Sequence, residues 1–121
     1  MSPVQHPIPG PALVFDLAAE MRTVHEQLAT TSARSARTLV KNGTLRATLL
    51  GIAPGGALPS HSTDGPITVH VLEGTVEFEL ADKTWSFPTG SLFALGGGVE
   101  HSVKSAEGGM FLLTVSVAHA G

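Results

Sequence analysis

The six histidines of this sequence are the first side chains to consider for chemistry, because imidazole both binds metal ions and transfers protons near neutral pH. Two of them stand where loops meet apolar stretches. His61 follows a loop rich in proline and glycine, and His101 follows a run of glycines. Side chains at such positions lie at the mouth between strands, so His61 and His101 are the first candidates for a functional site.

A third candidate, His70, lies in the middle of an apolar run with the residue types of a β-strand. Side chains on a strand point alternately to its two faces, so His70 points away from Val69 and Val71. If the two valines fill a core, His70 faces outward, towards a dimer interface. If the register is reversed, it points inward. The Gly65-Pro66 break separates this strand from His61, and the sequence leaves both alternatives open.

The other three histidines are interpreted as having no chemical role. His6 lies in a proline-rich stretch and His119 lies two residues from the C-terminus, so both are expected to be exposed. His25 lies at the edge of the apolar stripe of a predicted helix, where a half-buried structural histidine is expected.

The N-terminal third of the chain predicts an arm and one helix. Residues 1–12 carry four prolines and a glycine, which is typical of an extended arm. Residues 13–31 predict the helix, with Asp16 as its N-cap. Its apolar stripe, at helical spacing, consists of Leu17, Met21, Val24 and Leu28. Residues 32–121 are then predicted to form a single barrel domain.

The rest of the chain has the periodicity and punctuation of β-strands. Asn42-Gly43 predicts a hairpin, and Glu73-Gly74 predicts a turn between two further strands. The predicted strands are residues 37–41, 44–53, 67–72, 75–80, 84–87, 91–95, 101–104 and 110–117. Eight short strands at regular spacing, with no helix between them, predict an all-β jelly roll or small barrel.

Composition narrows the functional classes. A chain of 121 residues with 42% hydrophobic and 14% charged residues predicts one folded domain. Its formal net charge of −3 argues against a nucleic-acid partner. No apolar run has the length of a membrane span, and no secretory signal is recognisable at the N-terminus. The absence of cysteine excludes disulfide and thiolate chemistry. We therefore expect a cytoplasmic protein with no membrane partner.

Two stretches of the chain resemble the paired motifs of the cupin superfamily. The first runs from Gly51 to Gly74, includes His61, and ends in the letters VLEG. The second runs from Pro88 through a glycine triplet to His101. The resemblance covers roughly residues 51–105. It implies a double-stranded β-helix, which is the cupin jelly-roll barrel, here with one N-terminal α-helix, and it implies a homodimer.

The same resemblance implies a metal site. Cupins usually hold a metal ion with two histidines one residue apart, a glutamate a few residues later, and a histidine from the second motif. His61 and His101 match the first and last of these ligands. Thr63 and Ile67 occupy the other two positions, so half of the usual ligand set is replaced.

A third protein ligand is expected to complete the site, because two imidazoles alone leave it open. His70 is the preferred candidate, with Asp64 and Glu100 as weaker alternatives. A site of three histidines suits a divalent metal ion, namely zinc, iron, nickel or manganese, and the sequence does not choose among them.

Three functions remain open at this point. The first is a metal-dependent enzyme acting on a small organic molecule; the scarcity of inward carboxylates favours oxygenase chemistry over acid–base chemistry. The second is a metal-free barrel that binds or senses a small molecule without catalysis. Its predicted lining is Val69, Val71, Phe78, Phe93, Phe111 and Leu113. The third is a degenerate barrel kept for assembly, in which the histidines have no role.

Overall fold

The structure is a computed structural model, and it describes residues 12–30 and 33–117. These residues form one helix followed by eight strands. The elements are α1 (Leu17–Thr30), β1 (Arg34–Asn42), β2 (Leu45–Ile52), β3 (Gly56–His61), β4 (Ile67–Leu80), β5 (Lys83–Pro88), β6 (Leu92–Leu95), β7 (His101–Ser105) and β8 (Gly109–Ser116). The predicted all-β fold with one N-terminal helix is confirmed. Most of the predicted arm, residues 1–11, lies outside the described residues.

The strands form one antiparallel sheet that curls on itself into two facing walls. Its hydrogen-bonded order is β1-β2-β8-β4-β7-β3, and β5 and β6 each pair with β4. The first half of β4 pairs with β6 and β8, and its second half pairs with β5 and β7. Because both walls share β4, this strand connects the two halves of the jelly roll.

The predicted turn at Glu73-Gly74 is wrong, because β4 continues through both residues. A β-bulge lies between Val71 and Glu73 in the pairing with β8, and Gly74 has a φ of 70°. A bulge bends a strand without reversing it. A Cβ atom at Gly74 would also overlap the carbonyl oxygen of Gly108, so glycine permits the close approach of β8. The bend therefore contains a glycine with a positive φ, as many turns do, but the chain does not reverse its direction there.

The bulge also changes which residues of β4 face the core. Before it, the odd-numbered positions Val69 and Val71 are buried, and after it the even-numbered positions Val76 and Phe78 are buried. One extra residue shifts the alternation of side chains by one position. The bulge therefore keeps the glutamates of the second half of β4 on the outside.

The strand β3 was not predicted, since residues 56–61 were expected to form a loop. The structure pairs it antiparallel with β7 at one edge of the sheet. Pro59 and the mostly exposed side chains of β3 give the segment no apolar alternation, because an edge strand has little surface to bury. His61 consequently ends a strand instead of lying in a loop.

Two apolar clusters hold the fold together. The first fills the barrel and contains Ile52, Ile67, Val69, Val71, Val76, Phe78, Val103, Phe111 and Val115. The second lies between α1 and the outside of the sheet and contains Val24, Leu39, Leu49 and Met110. The helix is thus packed on the barrel wall by its predicted stripe.

Helix α1 begins directly after its N-cap residue, Asp16. The Oδ1 atom of Asp16 accepts hydrogen bonds from the backbone N–H groups of Ala18 and Ala19, at 3.1 and 3.4 Å. This is the N-cap that the sequence predicts. An ion pair between Glu20 and Arg37 also ties the helix to β1. The described residues form no helix long and apolar enough to cross a membrane.

Gly51 sets how closely α1 approaches the sheet. A Cβ atom there would lie 2.6 Å from Cγ1 of Val24, which is fully buried. We expect Gly51→Ala to lower the free energy of unfolding by about 1–3 kcal/mol, because the added methyl group overpacks this contact. Gly96→Ala is the matched control, since a Cβ at Gly96 meets nothing within 4 Å. Chemical denaturation measures both, and equal stability of the two variants would contradict the packing account.

Candidate functional site

The structure brings His61 and His101 together at one end of the barrel. His61 is the last residue of β3, His101 is the first residue of β7, and the two are register partners in the antiparallel pairing. Their ring centroids are 4.4 Å apart, with the ring planes at 58°. The two histidines that the sequence singled out from separate motifs therefore form one pair.

The hydrogen bonds of the pair fix which nitrogen of each ring carries the proton. Nδ1 of His61 lies 2.9 Å from the carbonyl oxygen of Pro59, and Nδ1 of His101 lies 3.0 Å from the carbonyl oxygen of Val99. A carbonyl oxygen only accepts, so each Nδ1–H donates. In a neutral imidazole the other nitrogen, Nε2, then has a free lone pair. Histidines that bind metals are oriented by hydrogen bonds of this kind.

Burial affects the protonation of His101. It is only 3% exposed, and burial lowers its pKa from the usual value of 6.5. The hydrogen bond to Val99 opposes this effect, and charge repulsion from His61 adds to it. A lowered pKa keeps the His101 imidazole neutral at pH 7, and the neutral form is the one that binds a metal ion.

The interior behind the pair is apolar and tightly filled. Phe78 stacks on His101, with ring centroids 5.9 Å apart and planes at 26°. The free space beside the two histidines is about 20 Å³, enough for about one water molecule. Its lining is Leu50, Leu58, His61, Ile67, Phe78, His101, Val103, Phe111 and Leu113. Ile67, which stands in the position of the usual glutamate, is a buried part of this apolar wall.

His70 is not brought to the pair. Val69 and Val71 are fully buried in the barrel, so His70 between them is exposed on the outer face. Its register partners there are Leu92 and Leu112. The structure thus corrects the prediction that His70 is the third ligand, because the strand alternation that buries the valines turns the imidazole outward.

The weaker candidates for a third ligand do not converge on the pair either. Asp64 and Glu100 are exposed, and the hydroxyl of Thr63 donates to the carbonyl of Gly65 at 2.8 Å. Within residues 12–30 and 33–117, no three His, Cys, Asp or Glu side chains are grouped so that they could hold a metal ion. The donor set at the pair is therefore two imidazoles with free Nε2 atoms, one protein ligand fewer than the three of the usual open metal site.

Of the remaining histidines, the structure describes only His25, and its surroundings differ from those expected from the sequence. The side chain of His25 is 55% exposed, and its Nε2 lies 2.6 Å from Oε1 of Glu73. It therefore connects α1 to β4 instead of lying half-buried in the apolar stripe. No sequence pattern indicates this contact, since the two residues are distant in sequence. His6 and His119 lie outside the described residues.

Comparison with known proteins identifies the family. The profile of the cupin domain matches residues 48–116, which is more than half of the chain. The chain belongs to the cupin family. The resemblance of the two motifs to those of cupins is thus confirmed, whereas the search of curated proteins found no match.

Solved structures show the same fold. A conserved protein of unknown function from Streptococcus pyogenes has a TM-score of 0.73 and 24% sequence identity, with 98% of this chain and 95% of that chain covered. A cupin-2 domain-containing protein from Shewanella frigidimarina has a TM-score of 0.69 and 16% identity, with 85% and 94% covered. A salicylate 1,2-dioxygenase from Pseudoaminobacter salicylatoxidans has a TM-score of 0.74 and 15% identity, with 84% and 32% covered. At these identities the likeness concerns the fold alone.

The lowered pKa of His101 predicts how stability depends on pH. The unfolded chain takes up a proton at His101 near pH 6.5, whereas the folded chain does so only at lower pH. The contribution to stability is therefore complete above about pH 6.5 and is lost as the pH falls towards the folded pKa. We expect His101→Gln to flatten the pH dependence of the free energy of unfolding between pH 8 and pH 5.

His70→Gln is the control for this measurement, because it removes an exposed histidine from the outer face. Denaturant titrations at several pH values compare the slopes. An unchanged slope in His101→Gln, or an equal flattening in His70→Gln, would contradict the burial argument.

Proposed function

We propose that His61 and His101 bind one divalent metal ion through their Nε2 atoms, in an open site whose remaining positions take water or a small organic molecule. The observation that carries this proposal is the pair of backbone hydrogen bonds, because they leave both Nε2 lone pairs free on adjacent rings. Imidazole nitrogen suits zinc, iron and nickel, and less readily manganese.

The two rings have different roles in this proposal. His101 is buried and held against Phe78, so it supplies a fixed and neutral donor. His61 is exposed and faces the solvent side of the pair, so an organic molecule reaches the site past His61. Because the space behind the pair is only about 20 Å³, that molecule binds at the mouth of the barrel and not inside it.

The chemistry favoured at this site is oxygenase-type. A bound metal ion supplies a Lewis acid, or a position where dioxygen and substrate meet. General acid–base catalysis needs a carboxylate or similar group within hydrogen-bond reach of the substrate. Among the described residues, no grouped carboxylate joins the histidines. The shared fold with a salicylate 1,2-dioxygenase agrees with this preference without naming a substrate.

A metal-free binding barrel is the second candidate, and its ligand would bind at the mouth of the barrel. The predicted lining of an inner pocket is packed as core: Val69, Val71, Phe78 and Phe111 are buried, and Phe93 and Leu113 pack against them. The two Nε2 atoms remain available as neighbouring hydrogen-bond acceptors at the mouth. A hydroxyl or amino group of a ligand would donate to them in place of the metal.

Metal content tests the proposal directly. We expect the protein, purified without a histidine tag and reconstituted with Zn²⁺, Fe²⁺, Ni²⁺ or Mn²⁺, to hold close to one ion per site by elemental mass spectrometry. His61→Ala and His101→Ala should each reduce the bound metal at least tenfold, because one imidazole cannot hold the ion. His70→Ala is the matched control and should bind normally, since His70 faces outward.

No bound metal in the wild-type protein after reconstitution would end the metal proposal and leave the metal-free barrel. Loss of metal in His70→Ala, together with retention in His61→Ala, would show that a different site holds the ion.

We also propose that a second copy of this chain covers the outward face of β4, β6 and β8. Leu92 on this face is 71% exposed, and Ala94, Thr68 and Thr114 lie around it with His70. None of these residues is charged. Hydroxyl groups and neutral imidazole both donate and accept hydrogen bonds, so such groups can pair with their own copies across a two-fold axis.

The outer face of the other wall lacks this self-complementarity. It presents Glu77, Glu79 and Lys104, with Lys104 paired to Glu77 at 3.8 Å. Charged groups meeting their own copies repel each other, and the net charge of the chain is −3. The uncharged face is therefore the better fit for a homodimer.

A mass measurement tests the homodimer. We expect light scattering to give twice the 12.5 kDa chain mass for the wild type. Leu92→Lys should shift the mass to that of one chain, because it places like charges across the axis. Ser86→Lys is the control on the exposed outer face of the other wall and should remain dimeric. A single-chain mass for the wild type, or a dimer unaffected by Leu92→Lys, would contradict this interface.

A further inference from the structure

A cavity of about 490 Å³ lies outside the barrel, between the C-terminal half of α1 and the sheet. Its lining comes from the helix, the end of β2, the bulge of β4 and the turn between β7 and β8. The lining residues include Leu28, Ile52, Pro54, His25, Glu73 and Glu107. The turn lies at the opposite end of β7 from His101, which is at least about 13 Å away along the strand. The cavity is therefore separate from the histidine pair.

The size and lining of this cavity are those of a small-molecule site. Such sites have volumes of roughly 300–1,000 Å³, are mostly apolar, and carry a few polar groups that orient the ligand. Here the apolar surface is supplied by Leu28, Ala53 and Pro54, and the polar groups are three ionisable side chains. The space beside the histidine pair is much smaller, at about 20 Å³.

Two carboxylates give the cavity its charge. Nε2 of His25 lies 2.6 Å from Oε1 and 3.1 Å from Oε2 of Glu73, so the imidazole holds that carboxylate in place. Each carboxylate oxygen has further lone pairs, so Glu73 can still accept a hydrogen bond from a ligand. Glu107 comes from a different element, and within residues 12–30 and 33–117 no ion pair or hydrogen bond engages its carboxylate. At most one positive charge, on His25, faces these two negative charges.

We propose that this cavity binds a small organic ammonium ion that has an apolar body. The ammonium group lies between the carboxylates of Glu107 and Glu73. The apolar body packs on Leu28, Ala53 and Pro54. A neutral molecule of the same shape lacks the charge interaction, and an anion is repelled by both carboxylates.

Titrations of the ¹⁵N-labelled full chain with three probes of matched shape test this proposal by NMR. The probes are phenethylammonium, phenethyl alcohol and hydrocinnamate. We expect phenethylammonium to cause saturable shifts at the amides of Leu28, Ala53 and Gly108. Phenethyl alcohol should bind about fivefold more weakly, as the loss of a half-exposed charge interaction implies. Hydrocinnamate should cause no saturable shift there.

Variants separate this site from its alternatives. Glu107→Gln should weaken phenethylammonium about fivefold while leaving phenethyl alcohol unchanged. Glu100→Gln is the matched control, because it removes an exposed carboxylate beside the opposite end of β7, and it should bind like the wild type. His61→Ala should also bind normally, so failure of the metal proposal leaves this result unaffected.

Three outcomes would overturn the proposal. The first is the absence of saturable shifts with phenethylammonium. The second is equal binding of all three probes, which would remove the role of the carboxylates. The third is a set of shifts confined to the His61–His101 end of the barrel.

Discussion

The bulge and bend in the middle of β4 are the constraint on which the rest of the molecule depends. Because β4 pairs with strands of both walls, its direction sets how the walls face each other. Because of the extra residue before Gly74, the core-facing positions of β4 change from odd-numbered (Val69 and Val71) to even-numbered (Val76 and Phe78). Without that shift, the glutamates at 77 and 79 would point into an apolar interior, where an unpaired carboxylate is unstable. One local irregularity therefore makes one continuous core from two walls.

Both sites follow from this arrangement of β4. On the second half of the strand, Phe78 pairs with Val103 of β7 and stacks on His101, which fixes the buried ring of the histidine pair. At the bulge itself, Glu73 leaves the core face and meets His25 on α1, which forms one side of the outer cavity. The metal proposal concerns the solvent-facing mouth of the barrel, in front of a tightly packed interior. The ammonium proposal concerns a half-exposed cavity on its outside.

Much of this structure could be predicted from the sequence, because turns and helix caps are local features. The hairpin predicted at Asn42-Gly43 forms with its turn one residue later, at Gly43-Thr44, where Gly43 has a φ of 59°. Asp16 caps the helix as its side chain implies. The errors arose where tertiary contacts override local patterns. Glu73-Gly74 has the residue types of a turn, yet both residues pair with β8, so β4 continues through them. The edge strand β3 has too little buried surface to show apolar alternation.

The site was also predictable only in part, because some of its features are local and others depend on tertiary contacts. The placement of His61 and His101 follows from their two motifs, whereas the direction of His70 depends on a strand register that the sequence left open. The hydrogen bonds from Nδ1 to the carbonyls of Pro59 and Val99 depend on backbone geometry at the ends of β3 and β7, which no sequence pattern specifies. The outer cavity depends on how α1 lies on the sheet, so it also appears only in three dimensions.

The central claim is that both rings of the pair present a free Nε2 lone pair at the mouth of the barrel. Long-range ¹H–¹⁵N correlation spectra of the histidine side chains, recorded above the pH at which the rings titrate, measure this tautomer directly. The account predicts that His61 and His101 both carry the proton on Nδ1, while exposed His70 shows the mixture typical of a solvated ring. A proton on Nε2 of either His61 or His101 would contradict the account, because that Nε2 atom would then have no free lone pair for a metal ion or a hydrogen-bond donor at the mouth.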